Sequence, residues 1–278
     1  MQVEQYVEKV FDTGEVKINF AEWPDNGPPL LFIHGLGGRW QAFARVVPSF
    51  ISSWHVYAMD LRGHGKSGHT PGRYHRDLYA ADAAALVSGL INGHVCIVGH
   101  SLGAMTALGV AAKSPDTVRA VVYEDPPLYM HMPGRMEATD FRPRFQATYE
   151  LALADMSVED LARAVLEAQP DLSPEMARER AAAIHALDPD VYRRSLDRSA
   201  SQSFDVESWL RAATPPGLLL QANPEQGAMS DEDAASAALL MPDVVVHRWM
   251  DSGHGMHAEH LERFVDEVSA FLADHRDR

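Results

Sequence analysis

Short apolar runs alternate with longer amphipathic stretches along most of the chain. The apolar runs, bounded by Gly, Pro, Asp or Asn, are PLLFIHG (29–35), HVYAMD (55–60), HVCIVGH (94–100), VRAVVYED (118–125), GLLLQAN (217–223) and VVVHRWM (244–250). Between them, apolar positions at helical spacing predict helices near 39–50, 75–91, 102–113, 230–240 and 258–274. Ahead of them, QYVEKVF and EVKINFAEW flank an Asp-Thr-Gly turn and predict an antiparallel hairpin. The whole pattern predicts an α/β fold with a mostly parallel eight-stranded sheet and helices on both faces.

One long connection breaks this alternation. Between Pro126 and Thr214 no strand pattern is visible, and the segment instead contains helical stretches separated by prolines. Connections of this length in compact domains usually have a function. We therefore expect residues 1–127 and 214–278 to form one α/β core. Residues 128–213 are expected to form a helical cap, or lid, that is inserted after strand 6 and covers the carboxyl ends of the strands.

Composition and charge narrow the class of protein. Of the 278 residues, 46% are hydrophobic and 23% are charged, which is typical of a soluble globular protein. The net charge of −15 argues against nucleic acid or an anionic membrane surface as a partner, since both require clustered Lys and Arg. The single cysteine, Cys96, lies in an apolar run and is expected in the core. The first residues resemble neither a signal peptide nor a membrane anchor, so we expect a cytoplasmic protein. We expect it to be a monomer or a homodimer.

A serine between two glycines, in VGHSLGAM (98–105), is the first candidate for chemistry. An apolar run precedes Ser101 and a helical pattern follows it, which places this serine at a sharp strand-to-helix turn. Gly99 and Gly103 are small enough to let the backbone crowd there. Ser101 is therefore a candidate nucleophile; the simpler interpretation is a hydroxyl at an ordinary turn.

A serine hydroxyl needs a base that removes its proton. Among the 14 histidines, His254 lies in the glycine-rich segment DSGHGMHAEH after the last apolar run, and it is the candidate base. His257 is the alternative, although we expect it to face the loop or the cap. We expect no metal site, because no histidine pair has the H-E-x-x-H spacing or shares a helix face with a carboxylate.

Four motifs in order, HGLGG (34–38), DLRGHGKSG (60–68), GHSLG (99–103) and GHGMH (253–257), resemble those of the α/β-hydrolase superfamily. The resemblance covers almost the whole chain. It implies a hydrolase without a cofactor, in which the backbone N–H groups of Leu36 and Leu102 form an oxyanion hole. His34 is expected to order its loop and, with Gly35 and His100, to lie at the substrate pocket. DLRGHGKSG lacks the spacing of a phosphate-binding loop and is expected to be structural.

The acid that orients the histidine departs from the common pattern of this superfamily, in which an Asp follows the seventh strand. Here that stretch reads LLLQANPEQGAMSDED, with Asn223 near its start and Glu225 as its first carboxylate. Some lipases, dehalogenases and lactonases of the superfamily take the acid from the end of the sixth strand, which here selects Asp125, 24 residues after Ser101. We expect Asp125 to be the acid, with Glu225 as the alternative. Glu124 is expected to point to the opposite side, because side chains along a strand alternate.

The resemblance implies a serine hydrolase that cleaves an uncharged carboxylic ester or lactone through an acyl-enzyme. A carbon–carbon bond or enol-lactone hydrolase with the same triad is the alternative, and a hydrolase-like ligand receptor is an alternative of another class. The substrate is expected to be small and apolar. Side chains after the sixth strand that are suited to face it, or else to pack within the cap, are Tyr129, Met130, Met132, Met136 and Phe141.

Overall fold

A computed structural model describes residues 5–91, 93–201 and 204–276, with one eight-stranded sheet at its centre. The strands are β1 (Val7–Asp12), β2 (Lys17–Glu22), β3 (Pro29–Ile33), β4 (His55–Met59), β5 (Val95–His100), β6 (Val118–Glu124), β7 (Gly217–Ala222) and β8 (Val244–Trp249). Their spatial order is β1-β2-β4-β3-β5-β6-β7-β8. β1 and β2 form a hairpin, β2 is antiparallel to β4, and the remaining neighbours are parallel. The predicted α/β fold with a mostly parallel eight-stranded sheet is confirmed.

The helices cover both faces of this sheet. They are α1 (Arg76–Leu86), α2 (Leu102–Lys113), α3 (Phe141–Leu153), α4 (Val158–Ala168), α5 (Pro174–His185), α6 (Asp190–Leu196), α7 (Val206–Ala212), α8 (Asp231–Leu240), α9 (Met256–Glu259) and α10 (Leu261–Ala273). The helix expected over 39–50 is instead two 3₁₀ turns, Trp40–Phe43 and Val47–Ser49. Pro48 lacks the N–H that an α-helix interior would need at this position. No helix of the described ranges is long and apolar enough to cross a membrane.

Alternate residues of the central strands enter two different cores. Leu31 and Ile33 of β3 lie in the core shared with α1 and α2, whereas Phe32 lies in the opposite core with Phe264 of α10. Cys96 is fully buried in this second core. Because both faces are covered, the strands show continuous apolar runs rather than simple alternation.

The described residues between β6 and β7 form five α-helices, α3 to α7, and a 3₁₀ turn over Ser199–Ser201. α4 and α5 pack around a small apolar core of their own. Each begins at a serine whose hydroxyl oxygen accepts a backbone N–H bond, from Asp160 to Ser157 and from Met176 to Ser173. Asp188 ties this inserted segment to the sheet domain, since it accepts the Tyr74 hydroxyl at 2.5 Å. That the segment works as a lid stays a prediction.

Candidate active site

Ser101 lies at the turn between β5 and α2, as the sequence predicts. Its φ of 53° and ψ of −115° are strained values for a residue with a side chain. A Cβ at Gly99 would meet the backbone of Gly103, and a Cβ at Gly103 would collide with the backbone oxygen of Ile33. The backbone N–H of Ser101 donates to the backbone carbonyl oxygen of Glu124 at 2.9 Å. The two glycines thus let α2 pack close to the sheet, and the strained turn is fixed to the end of β6.

Asp125 and His254 are in direct contact at the same edge of the sheet. The distance between Asp125 Oδ2 and His254 Nδ1 is 2.6 Å. The same carboxylate oxygen accepts the backbone N–H of Ala228 at 2.7 Å, and Oδ1 accepts that of Ala222 at 3.4 Å. Asp125 is fully buried and has a positive φ of 42°. The carboxylate is therefore held in one orientation and keeps a proton on Nδ1 of His254, which leaves Nε2 as the free acceptor.

Glu225, the alternative acid, has a different environment. It is exposed in the loop after β7, and its backbone N–H donates to the side-chain oxygen of Asn223 at 3.0 Å. No hydrogen bond joins its carboxylate to His254 within the described part of the chain. The structure thus brings Asp125, and not Glu225, to the histidine; that Asp125 acts as the acid stays a prediction.

The two residues expected to form the oxyanion hole lie on either side of Ser101. Leu102 begins α2, Leu36 is in the loop after β3, and both line one cavity with Ser101. A Cβ at Gly35 would lie 3.1 Å from Ser101 Cβ and 2.8 Å from the His100 ring. Glycine at position 35 therefore lets this loop approach the serine. The amino end of α2 adds the positive end of its dipole at the same place.

Two buried histidines hold the loop after β3. His34 Nε2 accepts the backbone N–H of Leu61 at 3.0 Å, and His64 Nε2 accepts that of Gly37 at 3.1 Å. Burial lowers the pKa of His34 to about 4 and that of His64 to about 3. Both rings are therefore neutral near pH 7 and serve as fixed acceptors.

Glu124 and His257 form a second, buried carboxylate–histidine pair. Glu124 accepts His257 Nδ1 at 2.8 Å and the His257 backbone N–H at 2.9 Å. Burial raises the pKa of Glu124, but electrostatic interactions with His257 and His100 and the hydrogen bonds from His257 outweigh burial and lower it. His257 therefore does not face the loop or the cap, because its ring is bonded to the buried Glu124 carboxylate. His100 Nε2 donates to the backbone oxygen of His254 at 3.0 Å and so steadies the adjacent loop.

Two cavities meet at Ser101, and both are also lined by Leu36, Phe141 and Phe145. The inner cavity, of about 70 Å³, has mainly apolar walls that include Leu102, Met130 and Met136. The outer cavity, of about 450 Å³, contains His254 and Glu225 and is more polar. The ring of Phe141, at the start of α3, packs edge-on against His254 with 4.9 Å between the centroids. The inserted segment thus contributes walls to both cavities.

The pocket residues expected from the sequence divide into two groups. His100 and Met130 line the cavities, and so do Met136 and Phe141. Four others, contrary to expectation, line neither cavity: His34, Gly35, Tyr129 and Met132. Met132 lies in a surface turn with 46% of its area exposed. Tyr129 is buried, but its hydroxyl is bonded to Ser236 of α8 at 2.7 Å.

The sequence did not predict four arginines and a histidine in the cavity walls. Arg76, Arg198 and His131 line the inner cavity, and Arg144 and Arg180 line the outer one. The sequence carries one signal for Arg76, which occupies the first position of α1, where the helix dipole disfavours a positive charge. The others lie in or near the inserted segment, whose sequence does not reveal which face meets the sheet domain.

The sequence of the chain is similar to those of known hydrolases. Residues 30–267 match the model of the Alpha/beta hydrolase family. The chain is 26% identical over 261 residues to N-formylmaleamate deformylase of Pseudomonas putida, and this match covers 94% of each protein. It is 36% identical over 122 residues to 2-(acetamidomethylene)succinate hydrolase of Mesorhizobium japonicum, a match that spans 44% of each.

Among solved structures, the N-formylmaleamic acid deformylase of Pseudomonas putida S16 is similar to this chain with a TM-score of 0.79 and 22% identity. The similarity covers 95% of this chain and 100% of that one. At 22% identity, this similarity shows that the two proteins share a fold and nothing further.

Proposed function

Because the chain belongs to the alpha/beta hydrolase family, we propose that it is a serine hydrolase that acts on a small molecule through an acyl-enzyme. Ser101 is the nucleophile, His254 the base and Asp125 the acid. The observation that carries this proposal is the 2.6 Å contact between Asp125 and His254, at a cavity that both His254 and Ser101 line. A buried carboxylate that holds a histidine next to a serine on a strained turn is the arrangement that activates a hydroxyl.

The reaction follows from this arrangement. His254 Nε2 takes the Ser101 proton as Oγ attacks the substrate carbonyl, and Asp125 stabilises the imidazolium that forms. The negative oxygen of the tetrahedral intermediate accepts the backbone N–H groups of Leu36 and Leu102. His254 then protonates the leaving group, and an acyl group remains on Ser101. A water molecule, deprotonated by His254, repeats the sequence and releases the acid.

The first candidate substrate is a carboxylic ester or lactone, because such carbonyls need no more than these groups. A second candidate is an N-acyl compound, and it is supported by the similarity over 94% of the chain to a protein named as a deformylase. Carbon–carbon bond and enol-lactone hydrolysis would use the same residues.

The test compares the wild type with Ser101→Ala and, as a matched control, with Ser88→Ala, which removes an exposed hydroxyl away from both cavities. The substrates are p-nitrophenyl esters, aromatic lactones, N-formyl amides and a vinylogous diketone. We expect Ser101→Ala to lose about 10⁴-fold or more in turnover and all labelling by a fluorophosphonate. Normal labelling and turnover in Ser101→Ala would refute the proposal, and faster cleavage of formyl amides than of esters would select the second substrate class.

A further inference from the structure

Three residues that line the inner cavity each carry a buried nitrogen atom that has no hydrogen-bond partner among the described residues. These atoms are Arg76 Nη1, Arg198 Nε and His131 Nδ1. Burying polar groups without partners is unfavourable, and such groups are rare in folded proteins. Because all three belong to residues in the wall of one cavity, this cavity is where an acceptor that is not part of the protein would meet them.

Arg76 supplies a positive charge that the rest of the described structure does not neutralise. Its Nε donates to the Ser201 hydroxyl at 2.7 Å, and its guanidinium lies 5.2 Å from the centre of the Phe204 ring. No described carboxylate pairs with it. Burial lowers the pKa of Arg76 to about 10, so the group is still charged near pH 7. Helix stability does not explain this residue, because the first position of a helix favours an acidic side chain.

The two other nitrogen atoms differ in charge from Arg76. Arg198 pairs with Glu137, so its charge is already compensated although its Nε is free. Its φ of 63° is strained for a residue with a side chain. The His131 ring packs on Phe204, like Arg76, with 5.3 Å between the centroids. Burial and the neighbouring Arg76 charge lower the pKa of His131 to about 4, so this ring is neutral.

The cavity therefore offers one uncompensated positive charge with further hydrogen-bonding nitrogens around it. A carboxylate matches it, because it carries a single negative charge and accepts two parallel N–H bonds from a guanidinium. A phosphate dianion would bring a second charge that these groups do not compensate.

The position of His254 decides which part of a substrate enters this cavity. The leaving group must lie where His254 can protonate it, and His254 lines the outer cavity only. The acyl part of the substrate therefore points into the inner cavity. The walls of that cavity combine the apolar side chains of Met130, Met136 and Phe145 with the charged groups.

We propose that the inner cavity is a subsite for a carboxylate on the acyl side of the substrate, with Arg76 as its main ligand. This inference rests on the proposed serine hydrolase function and changes the expected substrate from an uncharged ester to one with a free carboxylate. The substrate is a monoester or monoamide of a dicarboxylic acid that has a short apolar spacer between its two carboxyl carbons.

The kinetic test uses p-nitrophenyl monoesters of succinic, glutaric and adipic acids. Each is compared with the compound in which the free carboxyl group is converted to a methyl ester, which has a similar shape without the charge. The variants are Arg76→Gln, Arg76→Lys and, as a control, Arg73→Gln. Arg73→Gln also removes a positive charge from this part of the chain. Arg73, however, is exposed and is paired with Glu15 at 2.8 Å. Melting temperatures are recorded for every variant.

We expect the wild type to prefer at least one monoester to its methyl ester. Arg76→Gln should lower kcat/KM for that monoester by about 10- to 100-fold, mainly through KM, and should lower kcat/KM for the uncharged methyl ester by much less. Arg76→Lys should retain part of the preference, and Arg73→Gln should change neither substrate by more than about twofold. The inference is overturned if the methyl esters are preferred throughout, or if Arg76→Gln impairs both substrates equally.

A binding measurement separates this inference from the proposed function. Glutarate should raise the melting temperature of the wild type and of Ser101→Ala, but not that of Arg76→Gln. If Ser101→Ala still hydrolyses the esters, or no ester is cleaved, the proposed function fails while glutarate binding still reports on the subsite. Binding of inorganic phosphate in place of glutarate, or equal binding of glutarate by Arg76→Gln, would reject the carboxylate subsite.

Discussion

Replacement of Asp125 by asparagine separates the shape of this carboxylate from its charge. An asparagine oxygen at the Oδ2 position keeps the bonds to Ala228 at 2.7 Å and to His254 at 2.6 Å. The new amide nitrogen then faces only the weak 3.4 Å contact with Ala222. Asparagine also tolerates the positive φ of 42° better than most residues. We therefore expect Asp125→Asn to fold with a melting temperature close to that of the wild type.

The variant loses the negative charge beside the imidazolium that forms on His254. Two unit charges about 4 Å apart attract by about 4 kcal/mol at an effective dielectric constant of about 20. That energy corresponds to about 10³-fold in rate. The same substitution in the triad of serine proteases costs about 10⁴-fold. We expect kcat of Asp125→Asn to fall by about 10³- to 10⁴-fold.

The assay measures kcat for one ester at one pH, with Glu225→Gln as the comparison. Glu225 also lines the outer cavity but makes no bond to His254 in the described structure, so its neutralisation should cost less than about tenfold. If Glu225→Gln is the crippled enzyme and Asp125→Asn is nearly normal, the acid follows β7 and the reasoning from the Asp125 contact is wrong.

Two further predictions concern the histidines. His254→Ala should lose activity as severely as removal of Ser101, whereas His257→Ala should chiefly lower the free energy of unfolding, by about 3–5 kcal/mol, because it leaves the buried Glu124 charge unpaired; urea unfolding and kcat of both variants check this, and the reverse ranking would contradict it. His34 and His64 take up protons near pH 6.5 when unfolded but only near pH 4 and pH 3 when folded. The free energy of unfolding should therefore fall as the pH drops below about 6.5, by up to about 1.4 kcal/mol per pH unit for each histidine, and a stability that is flat between about pH 7 and about pH 5 would show that these rings are not held neutral.

The strands could be predicted well because burial on both faces leaves a plain signal. β3 to β8 each begin within one residue of the apolar runs identified in the sequence. The ends of parallel strands meet at one edge of the sheet, so the segments that carry Ser101, Asp125 and His254 were expected to converge. The turns after β3 were less predictable, because the apolar spacing of Phe43, Val46 and Val47 is the same in a helix and in a pair of 3₁₀ turns.

Individual side chains near the cavities could not be predicted for a different reason. Met130 and Met132 are two residues apart, and only the path of the chain after β6 decides that the first lines a cavity and the second is exposed. The unpaired state of Arg76 is a property of its surroundings in three dimensions. A sequence with 24 basic residues gives no indication of which one lacks an acidic partner.

Because the proposed acid lies at the end of β6, the loop after β7 does not have to supply a catalytic carboxylate. This loop meets the Asp125 carboxylate through the backbone N–H of Ala228, a group that every residue except proline supplies. Gly227 is restricted, since a Cβ there would lie 2.9 Å from Asp125 Oδ2. Directed evolution can therefore randomise Pro224, Glu225 and Gln226 to retune the rim of the outer cavity, provided that position 227 stays glycine and position 228 is not proline.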